Sequence, residues 1–247
     1  MARIGEMEIF RDGKALARAL ADLFVSVGRL AMADRGSFHV ALAGGNTPRA
    51  AYALLAQEPW RDELSWSDVF IYFGDERCVP PDDEQSNYLM AKHAFLDSVG
   101  IPRANVHRIA GEVDPGHAAN EYASLLRTVF GNAPRLDLIL LGIGPDGHTA
   151  SLFPGTPPDT DDNALVRAVY AQSQFMWRVT MTPKVLNLGR TVAFAVEGPD
   201  KADILEAVYQ GPVDPVKYPA QIVQPGSGRL IWLVDEPAAG MLKQRQG

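Results

Sequence analysis

The sequence predicts an α/β, Rossmann-like fold, in which helices cover both faces of a mostly parallel sheet. Helix-like and strand-like segments alternate almost to the end of the chain, and parallel βαβ units produce this pattern. The strand candidates are short and densely apolar, which favours strands buried on both sides. No internal repeat or low-complexity tract interrupts the alternation.

The first element is a helix predicted over residues 14–33, where alanine is frequent and Asp12 can serve as the N-cap. The predicted strands are 38–43, 69–73, 136–141, 192–196 and 230–234. The further predicted helices are 48–56, 86–99, 115–130, 184–188 and 200–209. Segment 153–163 is rich in proline, glycine, aspartate and threonine, which predicts an irregular loop beside a site. We expect one domain over residues 1–247.

The acidic composition excludes some classes of function. A formal charge of −7 argues against nucleic-acid binding, which needs a basic surface, so an anionic substrate would require a local concentration of cations. Cys78 is the one cysteine, which fits a reducing compartment. Residues 1–11 carry four charges and lack the apolar run of a signal peptide. No segment approaches the roughly 20 apolar residues of a membrane span. We therefore expect a cytoplasmic protein that contacts no membrane.

The first candidate motif is Leu-Ala-Gly-Gly-Asn-Thr-Pro at residues 42–48, between a predicted strand and a helix. In open α/β sheets, ligands bind outside the carboxyl ends of strands. Gly44 and Gly45 would let backbone N–H groups approach an anion, and Asn46 and Thr47 would add side-chain donors at a helix N-terminus. An ordinary tight turn explains this motif equally well by itself.

The second motif is Phe-Gly-Asp-Glu-Arg-Cys-Val-Pro at residues 73–80, followed by Ser-Asn-Tyr at 86–88. Asp75 could remain ionised beside Arg77 and hold the guanidinium in place as a preorganised cation for an anionic group. The alternative is an ion cluster on a surface loop, which is the commoner environment of such a run.

The third motif, Leu141 to Gly155, is the most specific. An apolar strand ends in Gly-x-Gly, and the chain then delivers Asp146 and His148 on a backbone rich in glycine. Imidazole can take a proton from water near neutral pH, and Asp146 could orient His148 or act beside it. A structural or merely exposed histidine is the alternative, but the position after a strand end favours function.

The sequence lacks the motifs of several other kinds of active site. There is no Walker-type phosphate loop and no Gly-x-Ser-x-Gly elbow, and the glycines at 142, 144 and 147 match a dinucleotide loop weakly. The cysteine and the other histidines are scattered, so we expect no metal and no cofactor.

Taken in this order, the three motifs resemble the 6-phosphogluconolactonase family, which is grouped with glucosamine-6-phosphate isomerases. The resemblance continues through Arg-Val-Thr at 178–180, Gly-Pro-Asp-Lys-Ala at 198–202 and the closing strand at 230–235. It implies a fold of the sugar-phosphate isomerase and deaminase type. It also implies a carboxylic ester hydrolase that opens 6-phosphogluconolactone in the oxidative pentose phosphate pathway.

The resemblance further implies a phosphate site. It puts the phosphate near Gly44, Gly45, Asn46 and Thr47, with Arg178 and Lys201 closing on it as cations. Without the family, solvent-facing charge would be the preferred interpretation of both cations. The family usually has a small hydroxyl residue at position 46, where this chain has an asparagine whose amide can still donate to phosphate.

The chemistry carried over from the family centres on His148. His148 would activate a water and later protonate the leaving ring oxygen, assisted by Asp146. Arg77 would lie near the sugar or lactone end, braced by Asp75. The expected partner is the small-molecule lactone, and we expect a monomer, with a homodimer left open.

Two rival functions remain. Glucosamine-6-phosphate deaminase shares the Gly-Gly loop and the Asp-Gly-His element, but its pattern has a glutamate where this chain has Phe153, and it tends to have an aromatic residue at the position of Arg77. An apolar ring at position 153 cannot relay protons. This departure and the arginine at position 77 both favour the lactonase. A non-catalytic sugar-phosphate sensor would need a recognition module, and no basic helix-turn-helix segment precedes the domain.

Overall fold

The computed structural model describes residues 5–155 and 163–242. Every candidate site residue lies within these ranges. Of the predicted loop at 153–163, the part from 156 to 162 lies outside the described residues.

Most strands in the described residues belong to one parallel sheet. The strands are β1 (Glu6–Phe10), β2 (Phe38–Leu42), β3 (Val69–Phe73), β4 (Asp75–Arg77), β5 (Leu138–Leu141), β6 (Val166–Ala171), β7 (Met176–Met181), β8 (Thr191–Val196) and β9 (Arg229–Asp235). Six of them form a parallel sheet in the order β1-β9-β8-β5-β2-β3. All residues of β5 and β8 are buried, so both faces of the sheet are covered at its centre. The predicted α/β fold with a mostly parallel sheet is confirmed.

The helices follow the predicted positions closely. They are α1 (Gly13–Arg35), α2 (Asn46–Leu55), α3 (Asn87–Ala91), α4 (Pro115–Phe130), α5 (Pro183–Leu186) and α6 (Ala202–Tyr209). Asp12 caps α1 as predicted, because its side chain accepts a hydrogen bond of 2.8 Å from the N–H of Ala15. The predicted helix at 86–99 is shorter and irregular: α3 continues as a π-helix over Lys92–Leu96.

A second, antiparallel sheet was not predicted. It has the order β4-β7-β6, and its register sets Asp75 opposite Thr180 and Arg77 opposite Arg178. The N–H of Met181 donates to the carbonyl of Gly74 at 2.8 Å, which joins this sheet to the chain leaving β3. The small sheet therefore lies beside the large one at the side where the parallel strands have their carboxyl ends, called here the carboxyl edge.

The buried Tyr122 of α4 fixes the carboxyl end of β3. Its hydroxyl accepts the N–H of Phe73 at 2.8 Å and lies 3.3 Å from the carbonyl oxygens of Phe73 and His107. Phe73 directly precedes Gly74 and Asp75, so α4 helps to position the second motif. None of the helices in the described ranges is both long and apolar enough to span a bilayer.

We predict that Tyr122→Phe lowers the free energy of unfolding by about 1–3 kcal/mol, because the buried N–H of Phe73 loses its acceptor while the ring volume is kept. Urea denaturation of wild type and variant measures this difference. Tyr170→Phe is the matched control, because that ring is 43% exposed. Equal losses in the two variants would contradict the anchoring role of Tyr122.

Candidate active site

A cavity of about 230 Å³ lies where β2, β3 and β5 end, at the carboxyl edge of the parallel sheet. Its wall includes six of the ten residues singled out from the sequence, namely Gly44, Gly45, Asp75, Arg77, His148 and Arg178. The strands are parallel and adjacent, so their carboxyl ends deliver all three motifs to one place. Side chains from separate motifs therefore share one cleft.

The loop after β2 presents backbone rather than side chains to the cavity. Gly45 has φ +104°, in the region that favours glycine, and it is the N-cap of α2 without any side-chain cap. The first-turn N–H groups of a helix have no intrahelical acceptor, so this end of α2 can bind an anion. A side chain on Gly44 would overlap the amide of Asn87, so the loop packs directly on α3.

Asp75 is the central buried group of the site. It is 7% exposed, and its carboxylate accepts the hydroxyl of Ser151 at 2.6 Å and the amide of Asn87 at 3.2 Å. Nη1 of Arg178 lies 3.7 Å from the same carboxylate, so in the described residues Asp75 pairs with Arg178, and the expectation that it holds Arg77 is wrong. One carboxylate thus contacts the His148 loop through Ser151, the start of α3 and the second sheet.

Glu76 is also buried, and it has a structural role. Its carboxylate accepts the backbone N–H groups of Arg77, Asn87 and Tyr88 and the hydroxyl of Ser86. Burial raises the pKa of Glu76, against the opposing effect of these backbone donors. With Asp75 and Glu76 both buried, the alternative of a surface ion cluster is wrong.

Arg77 and Arg178 face each other across the antiparallel pair β4–β7, and both line the cavity. Arg178 donates to the side-chain oxygen of Gln174, and burial lowers its pKa. Nη1 of Arg77 donates to the carbonyl of Gln85 at 2.5 Å. In both arginines Nε is buried and has no hydrogen-bond partner in the described residues. Like charges directly opposite each other repel, so a bound anion would stabilise this pair.

His148 lies in the cavity wall with one ring nitrogen held. Its Nδ1 lies 2.5 Å from Oδ1 of Asp146, which also accepts the backbone N–H of His148 at 3.1 Å. The other nitrogen, Nε2, has no hydrogen bond to any described residue. A carboxylate on Nδ1 selects the tautomer in which Nε2 carries the lone pair. This arrangement can accept a proton from a molecule in the cavity.

The ring of His148 rests against the backbone of Gly144, where a Cβ would overlap the ring atoms. The N–H of Gly144 donates to the carbonyl of His148 at 2.8 Å, which closes the loop. On another side the ring of Phe153 lies 4.8 Å from the imidazole, centroid to centroid. The histidine is therefore oriented by an acid, a glycine and an aromatic ring.

The remaining four candidates do not form part of the cavity wall. Asn46 is exposed and Thr47 half-buried in the first turn of α2. Asp146 lies behind His148 and reaches the cavity through the imidazole. Lys201 ends the 3-10 turn Pro199–Lys201 after β8, at the same sheet edge, with Nζ 3.8 Å from Asp200 Oδ2.

Sequence reasoning missed three residues that complete the site. Asn87 and Gln174 line the cavity, and Ser151, on the His148 loop, donates a hydrogen bond to Asp75. Asn87 belongs to the second motif and Ser151 to the third, so their positions within these motifs were the signal that could have identified them. Gln174 carries no sequence signal, because it reaches the site only through the unpredicted hairpin β6–β7. Over residues 5–155 and 163–242, no three His, Cys, Asp or Glu side chains converge as a metal site.

Comparisons with known proteins agree on one family. Residues 11–232 match the family model described as glucosamine-6-phosphate isomerases/6-phosphogluconolactonase. A 6-phosphogluconolactonase from Synechocystis sp. is 42% identical over 218 residues, covering 86% of this chain and 88% of the relative. Another from Nostoc sp. is 36% identical over 241 residues, covering 96% and 98%. The structure of 6-phosphogluconolactonase from Trypanosoma cruzi superposes with a TM-score of 0.86 at 26% identity, covering 99% of both chains.

We predict that Ser151→Ala lowers the free energy of unfolding by about 1.5–3 kcal/mol, because the buried carboxylate of Asp75 loses a charge-assisted hydrogen bond. Chemical denaturation measures the loss. Ser124→Ala, at an exposed position of α4, is the control and should change little. If both variants were as stable as wild type, Asp75 would not depend on Ser151.

Proposed function

The chain belongs to the family of glucosamine-6-phosphate isomerases and 6-phosphogluconolactonases, and from that premise we propose that it hydrolyses 6-phospho-D-glucono-1,5-lactone to 6-phospho-D-gluconate. This reaction is a step of the oxidative pentose phosphate pathway. The observation that carries the proposal is the contact of 2.5 Å between Asp146 and Nδ1 of His148, in a cavity that also holds two arginines. The site thus combines a proton acceptor with groups that bind an anion.

In this proposal the phosphate binds at the N-terminus of α2, on the backbone of Gly44 and Gly45 and the donors of Asn46 and Thr47. Arg178 contacts it from the second sheet, where its Nε lacks a partner among the described residues. Lys201 approaches from the neighbouring loop after β8 and must leave Asp200 to do so. These cations supply the local positive charge that a chain of net charge −7 needs for such a ligand.

At the other end of the substrate, Nε2 of His148 takes a proton from a water while the water oxygen attacks C1 of the lactone. The tetrahedral intermediate then collapses, the bond between C1 and the ring oxygen breaks, and the imidazolium returns its proton to that oxygen. The products are a carboxylic acid, which ionises, and a hydroxyl at C5. Asp146 stabilises the imidazolium throughout, and Arg77, held by the carbonyl of Gln85, lies at the sugar or lactone end.

Phe153 favours the lactonase over the deaminase. The deaminase pattern has a glutamate at this position for ring opening and proton relay. Here an aromatic ring lies 4.8 Å from the imidazole and offers no group that titrates. Lactone hydrolysis needs one proton carrier, which His148 provides.

The proposal extends to the molecule as a whole. The family model spans residues 11–232, which include the whole second sheet and all of the first except β1 and the end of β9, and this supports treating the chain as one domain. All groups of the proposed mechanism come from one chain, which supports a catalytic monomer. The single cysteine supports action in the reducing cytoplasm.

The direct test is proton release from freshly prepared 6-phosphogluconolactone, with spontaneous opening subtracted. Deamination of glucosamine 6-phosphate is assayed on the same sample. Acceleration of the first reaction alone supports the proposal. Ammonia release would identify the deaminase, and ligand binding without turnover of either compound would identify a sensor.

We predict that His148→Ala and Lys201→Ala affect different kinetic parameters. Loss of the general base should lower kcat by roughly 100- to 10,000-fold, while binding of 6-phosphogluconate is largely kept. Loss of the lysine should mainly raise KM. Steady-state kinetics and calorimetric titration with 6-phosphogluconate separate the two effects. Near-normal turnover by His148→Ala would refute the mechanism even if the enzyme were a lactonase.

We further predict that Gly144→Ala lowers kcat at least tenfold, because the new methyl group overlaps the ring of His148 and must displace it. Gly142→Ala is the matched control in the same loop, since its Cβ would meet only the carbonyl of Ala195, at 4.0 Å. Both are measured by lactone hydrolysis. Equal kcat in the two variants would show that the orientation of the imidazole does not limit the reaction.

A further inference from the structure

A second cavity, of about 270 Å³, lies at the opposite edge of the parallel sheet, where β2, β5 and β8 begin. We call it the amino-edge pocket. Its wall includes Arg35, Ser37, His39, Arg135, Asp137 and Arg190. The length of the strands separates it from the site of His148 by on the order of 15 Å. The proposed hydrolysis makes no use of any of these residues.

One buried carboxylate offsets part of the positive charge. Asp137 is 3% exposed, and it accepts the backbone N–H of His39 at 2.9 Å. Nη2 of Arg35 lies 3.0 Å from Asp137 and Nε of Arg190 lies 3.4 Å from it, the latter without hydrogen-bond geometry. Arg35 also lies 3.5 Å from the exposed Asp34, where solvent screens the interaction. Two guanidinium groups thus contact one buried carboxylate, and a third, that of Arg135, lines the same cavity.

The other groups at the pocket do not remove this excess. Both ring nitrogens of His39 are occupied, by Ser37 at 3.1 Å and Tyr72 at 3.2 Å, and burial lowers the pKa of His39, so the ring is neutral at pH 7. The helices α1 and α4 end at the pocket, and each C-terminus contributes about half a negative charge. The three arginines at the pocket therefore still carry more positive charge than Asp137 and the two helix ends offset.

Two buried donors at the pocket lack an acceptor. Arg135 directs Nη2 to the carbonyl and hydroxyl oxygens of Ser227, both at 3.2 Å, and leaves its Nε buried without a partner in the described residues. Nε of Arg190 is likewise buried without a hydrogen bond there. Buried donors are normally paired, so these two N–H groups require an acceptor. An oxyanion supplies the acceptors and the negative charge together.

We propose that the amino-edge pocket is a second binding site, for a phosphate group that is free or carried by a small metabolite, held by Arg135 and Arg190. The volume is similar to that of the first cavity, so a phosphomonoester with a few carbon atoms fits it. This site does not depend on the proposed function.

The test is titration of the whole chain with inorganic phosphate and, separately, glycerol 3-phosphate, observed on the arginine Nε–H signals by ¹⁵N-resolved NMR. The signals of Arg135 and Arg190, assigned from single arginine-to-glutamine variants, should shift saturably with either ligand. Tighter binding of the ester would identify a metabolite-borne group, and equal binding would identify free phosphate. Identical shifts with chloride at matched ionic strength would overturn the proposal.

Variants provide the second arm. Arg135→Gln should weaken phosphate binding at the Arg190 signal at least tenfold while lactone turnover stays unchanged. Arg103→Gln, an exposed arginine outside the pocket, is the matched control and should leave binding intact. Thermal unfolding verifies that each variant folds, and Arg135→Gln keeps both arginine contacts to Asp137. Unaltered phosphate binding in Arg135→Gln would show that Arg135 does not hold the anion, and no saturable shift in wild type would show that the pocket binds no phosphate. Either result overturns the proposal.

Discussion

The candidate site depends on one buried carboxylate. Asp75 is the point at which three separate parts of the chain meet: the His148 loop through Ser151, the start of α3 through Asn87, and the second sheet through Arg178. A charged group with little solvent contact requires such partners, and each partner is fixed by satisfying it. The same carboxylate thus sets the relative positions of the His148 loop and Arg178.

The two sheets contribute different parts of the candidate site. The parallel sheet aligns the ends of β2, β3 and β5, which brings a helix N-terminus and a histidine loop side by side. The antiparallel sheet carries the arginines, and its short strand β4 places Arg77 opposite Arg178. The strand ends of the parallel sheet therefore form one part of the cavity wall, and the antiparallel sheet contributes the two arginines. In this way a chain of net charge −7 places two arginines in one cleft.

The elements that were predictable are those with an independent local signal. The central strands are dense apolar runs, and α1 has its Asp12 cap and α4 its proline at the first turn, so their positions followed from the sequence. The strands that were missed are β1, β4, β6 and β7. β1 is an edge strand with exposed glutamates, β4 has three charged residues whose burial depends on partners far along the chain, and β6 and β7 complete the small sheet of β4. Arg178 and Gln174 lie on or beside β7, so long-range pairing alone brings them to the cavity. Without the family resemblance, Arg178 would have been interpreted as solvent-facing, and it is 6% exposed.

The contact between Gly44 and Asn87 has a practical meaning for protein engineering. A side chain at position 44 would occupy the space of the asparagine amide, which also holds Asp75. Libraries that diversify the loop after β2 one position at a time will therefore record position 44 as intolerant. Randomising 44 and 87 together, with a smaller residue at 87, opens sequence combinations that single-site scans cannot reach.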